Sequence, residues 1–429
     1  MSAFASLPLE LRLAALFVVG LSAGAAVNWF ADALRFEPRA LSPWSHPPVG
    51  LSRRRRHRLP LFGWLARRHE ARHYGELFWV RPLLVELSLA LTLPWLYWFE
   101  VVQAGLLPQG FGPIPGAPAN NPFVLWLQAS FVSHAILLVL MLAASLVDLD
   151  DKIIPDLITV PGTLIGLLLA ALWPASLLPE LVRNAVGVPD LGFVTLASPN
   201  DLPATLGPRP ETSGLWVALG CYWIWCLGLL PRLWRSRHGW RRATALVIAR
   251  IVREPASRVI AAIALLGSAG IVAVWWRGGA GWTGLLTALF GLAATGGLVW
   301  LVRRAGTLAL DREAMGFGDV TLMAMIGSYL GWQAGLLVFF VAPFWGLAAV
   351  TLTTLMRVLR RQGQFDPEIP YGPFLCLAAA TVAVRWAPWW DWAQDLFGLG
   401  WLVPAMALVS LGLLTLMLAA WRGLTARRA

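Results

Sequence analysis

Two groups of carboxylates stand where an apolar chain can least afford them, and their residue types point to acid–base chemistry. The first is Asp148, followed by Asp150, Asp151 and, directly after Pro155, Asp156, at the end of a long apolar run. The second is Asp319, preceded by Gly316, Phe317 and Gly318 and followed by another apolar run. An ionisable residue in or at the edge of a membrane span is costly and marks a functional site by default. Two carboxyl groups sharing one proton can divide the labour of hydrolysis: the ionised one activates water while the neutral one donates to the carbonyl under attack. Such a pair cleaves a peptide without a metal or a covalent nucleophile. Gly316 and Gly318 leave room for an extended backbone to approach Asp319 and permit torsions that other residues resist. Plainer roles exist for the same residues. A G-x-G-D string is also a turn entering an Asp helix cap, Asp148 is also an interfacial acid, and Asp150, Asp151 and Asp156 read as solvated or capping residues.

The elements that must bring these acids together are membrane helices. Of 429 residues, 58% are hydrophobic and 13% charged, and the mean hydropathy is +0.65, which leaves too little polar surface for a soluble domain. Several apolar runs reach the ~18 residues that cross a hydrocarbon core of roughly 30 Å as helix. Their continuity lacks the alternation of barrel strands. The sequence therefore predicts an all-α, polytopic transmembrane helical bundle of about 9–11 spans, at 11–34, 83–105, 123–147, 157–175, 214–232, 258–276, 281–302, 319–333, 334–357, 371–391 and 399–421. The run at 319–333 is short for a crossing and reads as a half-helix or one arm of a bent pair. The first run is of full spanning length, without the features of a cleaved signal peptide.

The net charge of +11 is almost entirely arginine, with Lys152 the only lysine. In a chain this apolar, arginine holds cytoplasmic loops in place, and no nucleic-acid partner is expected. Eleven arginines fall between Arg35 and Arg81, the stretch from Arg232 to Arg258 is similarly rich, and smaller groups occur at Arg303 and Arg304, at Arg357, Arg360 and Arg361, and at Arg422, Arg427 and Arg428. The loops at 106–122 and 176–213 are nearly free of arginine and read as irregular connections punctuated by proline and glycine. Eleven crossings place every basic loop on one side. Asp148 and Asp319, about 170 residues apart, fall at that same face. The arginine-rich loop is expected to meet anionic lipid headgroups. Cys221, Cys226 and Cys376 lie in apolar stretches without metal or disulfide spacing and are read as packing residues.

With both clusters placed, the chain resembles the type IV prepilin peptidase family. Asp148, with Pro155 and Asp156 beyond it, matches the family's first catalytic element. Gly316, Phe317, Gly318 and Asp319 match its G-x-G-D element, with Val320 to Gly327 and Gly331-Trp332-Gln333 as the continuation. Ile369-Pro370-Tyr371-Gly372-Pro373-Phe374 is similar to a late element, and Gly24 to Asn28 and Arg81 to Leu87 resemble weaker N-terminal signatures. The resemblance implies Asp148 and Asp319 as the catalytic pair. It also implies prepilin or pseudopilin precursors as substrates, membrane lipid as surroundings, and an active site at the cytoplasmic face of the bacterial inner membrane. Leader cleavage in the family needs no cofactor, and many members also methylate the product with S-adenosylmethionine. Asp150, Asp151 and Glu313 are candidates to receive a basic leader.

The chain departs from the pattern in two places. The loop at 35–82 lacks the family's paired cysteines, so no zinc site is expected and methyl transfer stays open. The distance between the aspartates is also unusually long. The resulting division is 1–34 as first span, 35–82 as arginine-rich loop, and 83–429 as peptidase membrane domain with an insertion at about 176–300. Three alternatives differ in kind. A transporter would hold its acids at midplane rather than at one interface. The presenilin and signal peptide peptidase class pairs G-x-G-D with Tyr-Asp, whereas Val147 precedes Asp148. A pilin-binding member that does not cut would have no need of both aspartates.

Overall fold

The computed structural model describes all residues except Met1, 37–39, 48–52, 109–120, 184–188, 208–210, 231–252, 311–314, 361–369 and 427–429. The readings made of the loop at 109–120, the basic stretch at 231–252, Glu313 and Ile369 lie outside the described residues.

Hydrocarbon offers the backbone no hydrogen-bond partner, so the apolar runs satisfy their own N–H and C=O groups as helices. These are α1 (Leu9–Ala33), α2 (Val80–Tyr97, prolonged by a π-turn at Trp98–Val102), α3 (Pro122–Asp151) and α4 (Asp156–Leu172). Then come α5 (Thr212–Leu229), α6 (Pro255–Arg277), α7 (Gly279–Leu310) and α8 (Phe317–Arg360). The chain ends with α9 (Gly372–Val384), α10 (Trp386–Phe397) and α11 (Leu402–Ala426). Among the described residues, seven helices are long and apolar enough to cross a membrane, and an eighth span results if α10 and α11, bent by 87°, count as one. The shorter apolar helices α4 and α9 add to these. The protein is a multi-pass helical membrane protein, as its composition requires.

Helix starts follow local chemistry. Asn121 caps α3 by accepting the Phe123 N–H at 2.9 Å, with Pro122 in the first turn. Pro155 stands at the N-cap of α4, and Pro373 occupies the first turn of α9.

The longest helix is not straight. At Gly331 φ is +79°, and two contacts show the consequence. Side-chain atoms of Thr295 lie 2.2 Å from a Cβ placed on Gly327 and 2.1 Å from one placed on Gly335. A straight helix would separate those two positions by about 12 Å, so the chain doubles back. The arm at 317–330 is a half-length helix, and the arm at 332–360 returns beside it, as expected of a bent pair.

Two sequence expectations change. The run at 371–391 is not one helix but two, α9 and α10, divided at Arg385. The supposedly irregular connection at 176–213 contains an antiparallel hairpin, β1 (Pro179–Arg183) paired with β2 (Pro189–Phe193), with Leu181 opposite Leu191. Its strands are five residues each and bounded by prolines, too short for alternation to declare them. Trp386 Nε1 donates to Pro179 O at 2.8 Å, Trp332 Nε1 to Leu196 O at 2.8 Å and Gln333 Nε2 to Thr195 O at 2.8 Å. The hairpin region thus closes the end of the bundle where α8 turns. The first arm of α8 is the core of the molecule: Leu322, Met323, Met325, Ile326, Tyr329 and Leu330 are buried in one cluster with residues of α3, α4 and α9.

Candidate active site

Three helix ends meet at the end of the bundle opposite the hairpin. They are the last turn of α3, the first turn of α8 and the first turn of α9. Asp148 belongs to the first of these and Asp319 to the second; they are 5% and 7% exposed, so both carboxyls are almost withdrawn from solvent. They lie near enough for their charges to act on one another. The Gly372 N–H donates to Asp148 Oδ2 at 3.1 Å across 224 residues of sequence, and the Gly316 backbone N–H donates to Asp319. Each acid is thereby held by a backbone donor from one of the glycine-bearing elements that the sequence singled out.

Ile154 ties the elements together. A Cβ on Gly372 would stand 2.5 Å from Asp148 Oδ2 and 2.8 Å from Ile154 Cδ1, and one on Gly318 would stand 2.8 Å from Ile154 Cβ. Real Cβ atoms do not approach so closely, so glycine at these two positions is what allows the three segments to converge. Ile154 is presented by the link between α3 and α4. That link turns at Lys152, which takes a left-handed conformation (φ +56°) with its N–H bonded to Asp148 O at 2.9 Å. Pro155 then starts α4, and Asp156 sits exposed in its first turn. Pro370 is half-buried ahead of α9, and Pro373 is buried within its first turn.

Several neighbours escaped the sequence reading. Tyr371 faces Asp319 closely enough to feel its charge. Cys376, one helical turn beyond Gly372, is buried within reach of both carboxylates and bonds to Ser145. Arg303 is also buried. Its Nε donates to Met315 O at 2.7 Å and its guanidinium lies 6.0 Å from the Phe317 ring centre, so it pins the G-x-G-D element from α7. An arginine counted only among the basic loops therefore serves the site. Its signal was available, since it closes an apolar run that would otherwise bury it unpaired.

The arginine-rich segment is also better organised than a headgroup-facing loop. Arg67 donates from Nε and Nη2 to Glu70 at 2.9 and 2.7 Å, and Arg53 reaches the same carboxylate at 3.2 Å. Burial pushes the Glu70 carboxyl up, but the hydrogen bonds and charges of Arg67 and Arg53 outweigh it and hold the group below the usual carboxylate range. Arg53 and Arg67 are thus committed to an internal core rather than to lipid. The two weak N-terminal signatures meet as well: Asn28 Nδ2 donates to Pro82 O at 2.9 Å, and the buried Glu86 accepts from Leu61 N at 2.6 Å and Trp64 Nε1 at 2.7 Å. Asp150 and Asp151, offered as partners for a basic leader, are already engaged. Asp150 pairs with Arg35 and, at 2.6 Å, with Arg81, while Asp151 accepts the Phe36 N–H at 2.9 Å.

Comparison with known proteins bears on this site directly. Residues 257–351 match the type IV leader peptidase family. The matched segment holds the whole G-x-G-D element and Asp319, though not Asp148. The chain is similar to prepilin leader peptidase/N-methyltransferases: 34% identical over 116 residues to that of Stutzerimonas stutzeri (24% of this chain and 38% of the relative), and 34% over 110 residues to that of Aeromonas hydrophila (25% and 35%). To that of Pseudomonas aeruginosa it is 33% identical over 102 residues (24% and 32%). The chain thus spans about a third of the length of the curated relatives it matches. No solved structure matches it. The family likeness read from the motifs is borne out over the matched segment.

Proposed function

We propose that this protein is a membrane aspartyl endopeptidase that removes the leader from prepilin-like or pseudopilin precursors, with Asp148 and Asp319 as its catalytic pair. The observation that carries the proposal is that these two buried carboxyls lie near enough to act on one another where the first turns of α8 and α9 meet the end of α3, with Gly372 pressed against Asp148. Mutually repelling acids withdrawn from water are expensive to assemble, and a shared proton is the arrangement that lets them coexist. The precursor's basic leader stays on the cytoplasmic side while its hydrophobic helix remains in the bilayer of the bacterial inner membrane. Its scissile bond then lies at the inner interface, beside the pair. The ionised carboxylate takes a proton from water as the oxygen attacks the carbonyl carbon, and the neutral partner gives its proton to the carbonyl oxygen. Collapse of the tetrahedral adduct breaks the C–N bond, with the proton returned to the leaving amine. The step needs no cofactor. The division into a first span at 1–34, a cytoplasmic segment at 35–82 and a peptidase domain at 83–429 carrying extra helices at about 176–300 belongs to the same reading.

The test uses the purified protein in detergent, mixed with precursors that carry basic leaders, and product masses read with and without S-adenosylmethionine. The wild type should release the leader. Asp148→Asn and Asp319→Asn should each lose at least about 10³-fold in rate while remaining inserted and folded, as expected when one member of an acid–base pair is removed. Full activity in either variant defeats the assignment. A further methyl increment, present only with the donor, assigns the second activity that the relatives' names carry.

A further inference from the structure

Asp148 lies on the last turn of a helix whose C-terminus is crowded with acids. That is the wrong sign for a helix C-terminus, where the dipole is negative and the final carbonyls lack partners. Lys152 stands at the cap itself, and two arginines answer the acids on one face of the helix. Arg81 Nη1 binds Asp150 Oδ1 at 2.6 Å while its Nη2 takes the Leu146 carbonyl at 3.1 Å, and Arg35 pairs with the other oxygen of Asp150. Leu146 and Asp150 are four residues apart and share one face of α3, whereas Asp148, midway between them, points to the opposite side. Arg81 thus holds the back of the turn whose front carries Asp148. Its own position is fixed, since it opens α2, which Glu86 and Asn28 bind to the arginine-rich segment and to α1.

We infer that Asp150 is a positioning residue, which acts with Arg81 and Arg35 to set the placement of Asp148 rather than to bind the leader. The inference rests on the peptidase reading above. It makes the N-terminal segment a working part of the site: α1 and α2, distant from Asp319 in sequence, place one acid of the pair through a clamp on the rear of α3. Displacement of a reacting group by about 1 Å can cost on the order of 100-fold in rate. The clamp therefore predicts a loss in kcat with KM unchanged. An Asp150 that bound a basic leader would show the reverse.

Steady-state cleavage by Asp150→Asn, Arg81→Ala, the double variant and Asp150→Glu distinguishes these, together with hydrogen exchange of residues 146–152. Each single variant should lower kcat roughly 10- to 100-fold, the double should be no worse than the poorer single because both remove one interaction, and Asp150→Glu should recover part of the rate. Exchange at 146–152 should rise in the impaired variants. Wild-type kcat in Asp150→Asn, an effect confined to KM, or unchanged exchange would each overturn the clamp. If the wild type cuts no precursor, the peptidase reading fails, and the exchange measurement alone decides whether the clamp holds.

Discussion

The Asp148 carboxylate has no free space on the side of Gly372. A methyl group there would press on Asp148 Oδ2 at 2.5 Å and on Ile154 at 2.8 Å, and any retreat of α9 would also stretch the Gly372 N–H bond to the acid. At Gly316 the same methyl would sit 3.5 Å from Asp319 Oδ2, an ordinary contact. Gly372→Ala should therefore lower leader cleavage by at least about 10-fold, a barrier increase of roughly 1.4 kcal/mol, and Gly316→Ala should cost much less; comparable losses would show that glycine is needed at both for another reason. The two aspartates were legible in the sequence because ionisable groups in an apolar chain declare themselves by cost. Gly372 was legible only as part of a motif. What it does, donating to an acid 224 positions away, depends on a contact that no local pattern encodes. Cys376 shows the same limit: an apolar neighbourhood correctly announced burial, but not burial beside both acids.

At the level of elements, the site depends on short helices whose first turns meet the end of a long one, α3. The arm at 317–330, α4 and α9 each bring a terminus to the acids, and the first of these is short because the chain turns at Gly331. With φ +79° and ψ 174° the residue sits in a region that only glycine occupies at ease, and a side chain there costs about 1–3 kcal/mol. Gly331→Ala should lower the thermal midpoint in detergent accordingly, and Gly331→Val should lower it further, since a branched side chain tolerates this region less. An unchanged midpoint in both would mean that the turn relaxes freely. The bent pair was foreseeable because fourteen or so apolar residues do not span a bilayer. The division at Arg385 was masked by an apolar run that continues through it, although Pro388, suited to a first turn rather than a helix interior, marks it locally; the bond from Trp386 to the hairpin then fixes the second helix in place. The internal core of the arginine-rich segment was hidden for a related reason. Composition marks arginines as surface cations, and only the fold reveals that Glu70 lies between two of them.

Taken whole, the molecule carries a buried carboxylate outside the spans at each end, and the two are displaced in opposite directions. At the hairpin end, burial pushes the Glu180 carboxyl up to about 6, against a lesser pull downward from its hydrogen bond with Ser198. It lines a cavity of about 550 Å³ with Asp391, Trp386 and Trp390. At the arginine-rich end, Glu70 lies below its ordinary value of 4.5. For a group raised in the folded state, the contribution to stability is fullest below the unfolded value and is lost as pH rises through the folded one, so Glu180 weakens the fold between pH 4.5 and about 6 and stays unfavourable above. For Glu70 the order is reversed: its contribution is present above 4.5 and disappears as pH falls through its depressed value. Glu180→Gln should accordingly stabilise the protein at pH 7.5, by on the order of 2 kcal/mol, and make little difference at pH 4. Glu70→Gln should destabilise it at pH 7.5, with the deficit shrinking on acidification. Thermal unfolding of both variants in detergent at the two pH values reads the sign directly. A Glu180→Gln protein that is less stable than the wild type at pH 7.5 would mean that the carboxylate has a cationic partner at the cavity when ionised.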